Sequence, residues 1–301
     1  MVYIGVDIGG TKIAGALFDS NGNILYSATQ LLNGREGNLV GDLITELCSQ
    51  ILEVNGILDS NSLNIGLCVP GIAYSKTGTV WAPNIPGWEA FPLKDVVLKR
   101  FQNSTVTIES DRTCYILGEV LRGAAKGCEN AIFLAVGTGI GAGILIDGKI
   151  LHGASDIVGA TGWMALKPPY TNDYDTCGCF ESYASGSGIA LQASKITGRE
   201  VSTREVFEAY DKGEEFAVKV ITDAIEMWGM AAANFVSLFN PEMIVFGGGV
   251  FGPASALIEK IYNESCKWAQ PISIKQCKFV ATELESMTGL YGAGAIAIKN
   301  Y

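Results

Sequence analysis

Apolar residues are arranged along the chain in two ways. Short, nearly continuous apolar runs bounded by Gly, Pro, Asn or Asp read as strands: Val2–Val6, Leu63–Val69, Thr105–Glu109 and Met243–Phe246. Longer stretches with a helical apolar period predict helices over Asn38–Val54, Leu93–Phe101, Thr113–Ala125, Glu181–Thr197, Thr203–Lys212, Glu215–Phe239, Phe251–Trp268 and Met287–Ile298. Strands that alternate with helices imply an α/β fold of layered sheets and helices. The stretch Gly153–Cys179, rich in Gly, Pro, Tyr, Asn and Asp, fits neither pattern. It is long for a connection inside a compact domain, which marks it as functional or partly structured.

A repeat organises the pattern. Ile4–Leu25 reads IGVDIGGTKIAGALFDSNGNIL, and Ile132–Leu151 reads IFLAVGTGIGAGILIDGKIL. At one fixed offset Ile4 meets Ile132, Gly9 meets Gly137, Ala14-Gly15 meets Ala142-Gly143, Leu17 meets Leu145 and Asp19 meets Asp147. Each copy reads as a β-hairpin around a Gly-rich turn. One repeat at so long a spacing suggests a duplicated domain rather than a solenoid, and 301 residues suffice for two domains.

Composition narrows the class. Acidic residues outnumber basic ones 31 to 21, a net charge of −10, which opposes a nucleic-acid surface. A polyphosphate remains possible, because backbone N–H groups and a metal ion can hold one on an acidic protein. Most of the eight cysteines sit singly inside apolar runs, as small buried hydrophobes do. Met1 leads directly into the first strand, so no signal peptide is expected, and no apolar run reaches membrane-spanning length. These features fit a reducing cytoplasm.

Four motifs can carry chemistry. Asp7-Ile8-Gly9-Gly10-Thr11-Lys12 places an acid at a strand end beside a turn of N–H groups and a hydroxyl. That suits Mg²⁺, held through Asp7 directly or by way of water, together with phosphate; the bland reading is a β-turn with an incidental Asp. Gly137-Thr138-Gly139 repeats the turn but has Ala135 where Asp7 stands, so it suits phosphate alone. Gly247-Gly248-Gly249 follows an apolar strand and suits a nucleotide, or is a tight strand-to-helix turn. Asp111, after Glu109-Ser110 at another strand end, is either a helix N-cap or a general base.

Taken in this order, Asp7–Lys12, Pro70-Gly71, Asn84 in APNIPGW, Asp111, Gly137–Gly141, Gly178–Gly186 and Gly247–Gly249 resemble the ROK family of bacterial sugar kinases over nearly the whole chain. The resemblance implies an α/β protein of two actin-like (ribonuclease H-like) domains with mixed sheets flanked by helices and a ligand cleft between them. We place the boundaries at 1–112 plus 290–301 for the smaller domain and 113–289 for the larger. It implies phosphoryl transfer from ATP with Mg²⁺ to a sugar hydroxyl, often the 6-OH, in a homodimer. Asp111 is then the base. Gly71, Asn84, Ser110 and Glu181 would then line the sugar site, and Trp163 is a further candidate for it. Gly9, Gly10, Thr11, Gly137, Thr138, Gly139 and Gly247–Gly249 belong to the nucleotide site.

The chain departs from the family at informative places. Ser110 stands where the family has Asn. Gly159-Ala160-Thr161-Gly162-Trp163 replaces Gly-Glu-Ile-Gly-His, so a sugar-binding Glu and a zinc-binding His are gone. The family's cysteine cluster is shortened to Cys177-Gly178-Cys179, and the one histidine, His152, lies elsewhere. A structural zinc site needs four ligands, so no zinc is expected. Trp163 either stacks on a sugar ring or fills core volume left by the zinc cluster. Trp81 and Trp88 are candidates for the pocket rim. The alternative functions are a catalytically silent sugar- or nucleotide-binding protein or sensor, a repressor, which would need a DNA-binding segment and a less acidic balance, and a phosphotransferase for a non-sugar acceptor.

Overall fold

The computed structural model of the protein describes residues 1–57 and 63–299. They group into two compact units: Met1–Gly127 with Ile150–Val158 and Glu283–Tyr301, and Cys128–Lys149 with Gly159–Thr282.

The first unit contains β1 (Val2–Ile8), β2 (Lys12–Phe18), β3 (Ile24–Leu31), α1 (Asn38–Val54), β4 (Leu63–Val69), β5 (Ile72–Tyr74), β6 (Thr79–Trp81), α2 (Leu93–Arg100), β7 (Thr105–Ser110) and α3 (Asp111–Arg122). Its sheet has the order β3-β2-β1-β4-β7, with β1–β3 antiparallel and β4 and β7 parallel to β1. α1 buries Val40, Leu43, Ile44, Leu47, Cys48 and Ile51 along one face, in one core with Ile4, Val6, Ile65 and Leu67 of the sheet. Each such Leu or Ile contributes roughly 1.5–3 kcal/mol by leaving water.

The second unit contains β8 (Ala131–Val136), β9 (Ile140–Ile146), β10 (Lys149–Ile150), α4 (Cys179–Ala184), α5 (Gly186–Thr197), α6 (Thr203–Asp211), α7 (Glu215–Phe239), β11 (Met243–Gly247), α8 (Ile258–Ser265) and β12 (Lys278–Ala281). Ile150, the last residue of β10, already groups with the first unit. The sheet order is β10-β9-β8-β11-β12, again an antiparallel run followed by two parallel strands. The shared order carries the duplication from the hairpins to the sheets. The hairpins nevertheless differ by one residue. In the first, Ile8 pairs with Ile13 and Gly9 N–H reaches Lys12 O at 2.9 Å. In the second, Val136 pairs with Ile140 and Gly137 N–H reaches Gly139 O at 2.9 Å. The constant offset of the sequence comparison therefore slips by one position on the second strand.

The last helix, α9 (Thr288–Ile298), packs in the first unit. Gly5 and Gly66 are cross-strand partners in β1 and β4. A Cβ on Gly66 would lie 2.0 Å from Ala293 O, and one on Gly5 would lie 2.6 Å from Gly294 N. α3 meets the same helix as closely, since a Cβ on Gly292 would lie 1.9 Å from Cys114 O. This packing shifts the expected domain boundaries. Residues 112/113 and 289/290 fall inside α3 and α9, and both helices belong whole to the first unit.

Other elements differ from the sequence reading. Residues 181–197 form two helices, because Ser185 leaves the helical conformation and caps α5, accepting from Gly188 N–H at 2.9 Å. Over 251–268 the chain makes short 3₁₀ turns at Gly249–Phe251 and Pro253–Leu257 before α8 begins, consistent with Pro253 lacking an N–H for a longer α-helix. α3 starts at Asp111, two residues earlier than expected.

Candidate active site

In the first unit Asp7 lies at the end of β1, and Asp111 follows the end of β7. Asp7, Cys68 and Glu109 form one cross-strand row on β1, β4 and β7. Cys68 stands beside Asp7 on the neighbouring strand. Burial raises the Asp7 carboxyl above its ordinary range; Cys68 and Lys12 oppose that rise. α9 crosses so near that a Cβ on Gly289 would lie 2.6 Å from an Asp7 carboxylate oxygen.

Asp111 is the first residue of α3, and the cap is its neighbour. Ser110 Oγ accepts from Thr113 N–H at 3.4 Å, while Asp111 Oδ1 accepts from Arg112 N–H at 2.8 Å. Burial raises the Asp111 carboxyl to about 6; Arg112 opposes the rise and the charge of Asp7 adds to it. A carboxylate partly withdrawn from water, with a pKa near working pH, suits a general base. Ser110 is buried and caps α3.

The first glycine turn lies against the segment after β6. A Cβ on Gly10 would meet Asn84 at 3.4 Å, so Gly10, exposed Thr11 and exposed Asn84 are neighbours. Gly71 has φ 149° and passes so close to the β5–β6 hairpin that a Cβ would lie 2.1 Å from Trp81 O. Trp88 is core: it stacks on Phe91 at 4.6 Å and donates Nε1–H to Gly37 O at 3.1 Å. Trp81 is exposed.

Asp7 and Asp111 supply hard oxygen donors of the type Mg²⁺ takes. Among the described residues no three His, Cys, Asp or Glu side chains gather as a metal cage. That is compatible with Mg²⁺ held by one or two carboxylates, water and substrate phosphates.

In the second unit a groove of about 950 Å³ is lined by Gly137, Thr138, Ser187, Thr203, Phe207 and Gly249, among others. The glycine turn is joined to the start of α5, with Gly186 N–H donating to Gly137 O at 2.8 Å. Groove, turn and helix N-terminus together offer N–H groups and hydroxyls for an anion, with Phe207 as an apolar wall. The triple glycine divides by role. A Cβ on Gly247 would strike the Phe133 ring at 2.2 Å, and one on Gly248 (φ 91°) would lie 2.4 Å from Val136 O. Only Gly249 opens onto the groove. Ser187, Thr203 and Phe207 escaped sequence reasoning. The one available signal was the Ser-Gly-Ser-Gly run at 185–188, a helix start of small residues.

Glu181 secures the second turn. Its Oε2 accepts from Ile140 N–H at 2.6 Å and fills the space where a Cβ on Gly139 or Gly162 would lie. Burial raises its carboxyl, against the Ile140 hydrogen bond. Trp163 is 58% exposed, which removes the core-filling reading. It lines a cavity of about 430 Å³ with Lys167, Pro168, Tyr170, Tyr174 and Asp175.

The ROK family model matches residues 3–300. The chain belongs to the ROK family. A glucokinase of Halalkalibacterium halodurans is 32% identical across 97% of this chain and 93% of that protein. The solved ROK hexokinase of Thermus thermophilus has a TM-score of 0.85 at 29% identity, covering 99% of this chain and 98% of that one. A ROK glucokinase of Streptomyces griseus, solved with glucose and AMPPNP, has a TM-score of 0.75 at 28% identity over 99% of each chain. The two sheets of this ROK protein therefore belong to the actin-like ATPase fold.

Within the ROK pattern, the residues around the shortened cysteine cluster have partners of their own. Cys177 Sγ lies 3.3 Å from Ser182 Oγ, and Cys179 Sγ points to Lys167 O at 3.8 Å. His152, in the first unit, contacts Glu109. All eight thiols are free of disulfides. Among the described residues no helix is long and apolar enough to cross a membrane.

Proposed function

We propose that this carbohydrate kinase transfers the γ-phosphoryl group of ATP, with Mg²⁺, to a hydroxyl of a hexose or hexose derivative, with the 6-OH as the expected acceptor. The observation that carries the reading is Asp111: Ser110 takes the capping role, and burial poises the Asp111 carboxyl near 6. Asp111 accepts the proton of the attacking hydroxyl as the new O–P bond forms and the bond to the β-phosphate oxygen breaks, with ADP as leaving group. Gly137, Thr138 and the start of α5 bind phosphate through N–H groups and hydroxyls, beside the Phe207 wall. Asp7 and the Gly9–Thr11 turn would hold the metal and phosphate oxygens. Mg²⁺ supplies neutralisation of the charge that builds on those oxygens. Asn84 and Glu181 orient the acceptor. With Ala160 in place of a carboxylate, the acceptor pattern differs from that of plain glucose; another hexose, an amino or acylated sugar and a cyclitol-like polyol are the candidates.

The test is ADP release with Mg·ATP across hexoses, N-acylated hexosamines, ketoses and cyclitols, with Asp111→Asn run alongside. Turnover on one acceptor that the variant loses, with ATP binding retained, supports the reading. Near-normal turnover by the variant removes Asp111 from the role.

A further inference from the structure

Residues Ile150–Val158 group with the first unit, although the chain on both sides of them belongs to the second. Two contacts hold this stretch. His152 Nε2 and Glu109 Oε1 are 2.9 Å apart, with both side chains mostly shielded from water. Asp156, at φ 59°, accepts from Ser75 N–H at 3.1 Å and Ser75 Oγ–H at 3.0 Å. The stretch also closes on itself, because Val158 N–H donates to His152 O at 3.3 Å.

The two anchor points are placed where the acceptor machinery is carried. Glu109 is the penultimate residue of β7, directly before the Ser110 cap and two positions before Asp111. Ser75 follows β5, in the hairpin that begins after Gly71 and leads through β6 to Asn84. A strand end is free to twist unless something holds it, and in-line transfer is sensitive to small displacements of the base.

We propose that the 150–158 stretch is a positioning strap for the acceptor site: His152 fixes the strand end that presents Asp111, and Asp156 fixes the hairpin that leads to Asn84. The inference rests on the reading of Asp111 as base and Asn84 as an acceptor contact. His152 is a positioning residue, since it acts on Asp111 through Glu109.

The test is steady-state kinetics of His152→Ala, His152→Gln, Asp156→Asn and Asp111→Asn, with the melting temperature of each. His152→Ala is expected to lower kcat about ten- to a hundredfold while KM for ATP stays within about twofold. His152→Gln, which still presents an N–H to Glu109, is expected to recover most of that loss. Asp156→Asn is expected to act chiefly on the acceptor KM. The strap is overturned if His152→Ala keeps wild-type kcat. It is also overturned if Ala and Gln lose kcat equally in step with a lower melting temperature, which is a purely structural role. An inactive Asp111→Asn beside a normal His152→Ala removes the strap and leaves the base in place. An active Asp111→Asn removes the base itself.

Discussion

Asp111 Oδ1 accepts the Arg112 N–H in the first turn of α3, while its neighbour Ser110 caps the helix by accepting the Thr113 N–H. Replacing Ser110 by Ala leaves that N–H without its cap. The expected cost is about 1 kcal/mol of stability, read from the urea midpoint. Ser110→Asn, also a good cap, should restore most of it. A change in acceptor KM at unaltered stability would instead place the Ser110 hydroxyl on the substrate.

The second expectation concerns pH. With the Asp111 carboxyl raised to about 6, kcat/KM for the acceptor should fall about tenfold per pH unit below that value, as the base becomes protonated. Stability follows the opposite sense. The folded protein holds this proton more tightly than the unfolded chain, so stability declines as pH rises from the unfolded carboxyl value through the folded one. Asp111→Asn has no such charge to bury. Its melting temperature should exceed that of the wild type at pH 8, and the gap should close toward pH 4. A gap that does not vary with pH would contradict the assignment.

Glu181 holds the second glycine turn, and in the proposed reading it also orients the sugar; substitution can separate the two. Its Oε2 holds Ile140 N–H at the exit of the second glycine turn, and its other oxygen has no protein partner among the described residues. Glu181→Gln keeps an acceptor for Ile140, so KM for ATP should hold while KM for the sugar rises. Glu181→Ala leaves the N–H unpaired, with an expected loss of about 1–3 kcal/mol and a higher KM for ATP. Isothermal titration with AMPPNP distinguishes the two.

The glycine pair beneath α9 gives a prediction about packing. A methyl group at Gly66 would lie 2.0 Å from Ala293 O, against backbone that cannot swing aside. Gly66→Ala should therefore destabilise by at least about 1–3 kcal/mol, whereas Gly34→Ala, with no neighbour in the way but φ 75°, should lose only the smaller backbone term. Thermal unfolding of the two variants compares them directly.

Periodicity was a faithful guide where one face is buried along a whole element. α1, β4 and α7 run over the residues that their apolar patterns mark, and the duplicated hairpins pointed to two sheets of the same order. It failed where one backbone hydrogen bond or one residue type decides the matter. Ser185 splits a helix by capping the next, and Pro253 stands in a stretch that remains 3₁₀. Short strands such as β5, β6 and β12 have too few residues to show an alternation. Of the candidate site, Asp7, Asp111 and the two glycine turns stand out in the sequence as motifs at strand ends. The division of labour inside Gly247–Gly249 does not, because it depends on Phe133 and Val136, more than a hundred residues earlier in the chain. The Glu109–His152 contact was hidden for the same reason: it joins residues 43 positions apart.

The placement of α9 also sets an order of events during synthesis. The second unit lies wholly within residues 128–282, so it has what it needs once they have left the ribosome. The first unit does not. Its sheet emerges first, yet the notch at Gly5 and Gly66 and the inner side of α3 stay uncovered until Thr288–Ile298 arrive. The strands that lead to both acids are thus the first made and the last completed. A nascent chain stopped short of α9 presents an apolar surface for chaperones to shield.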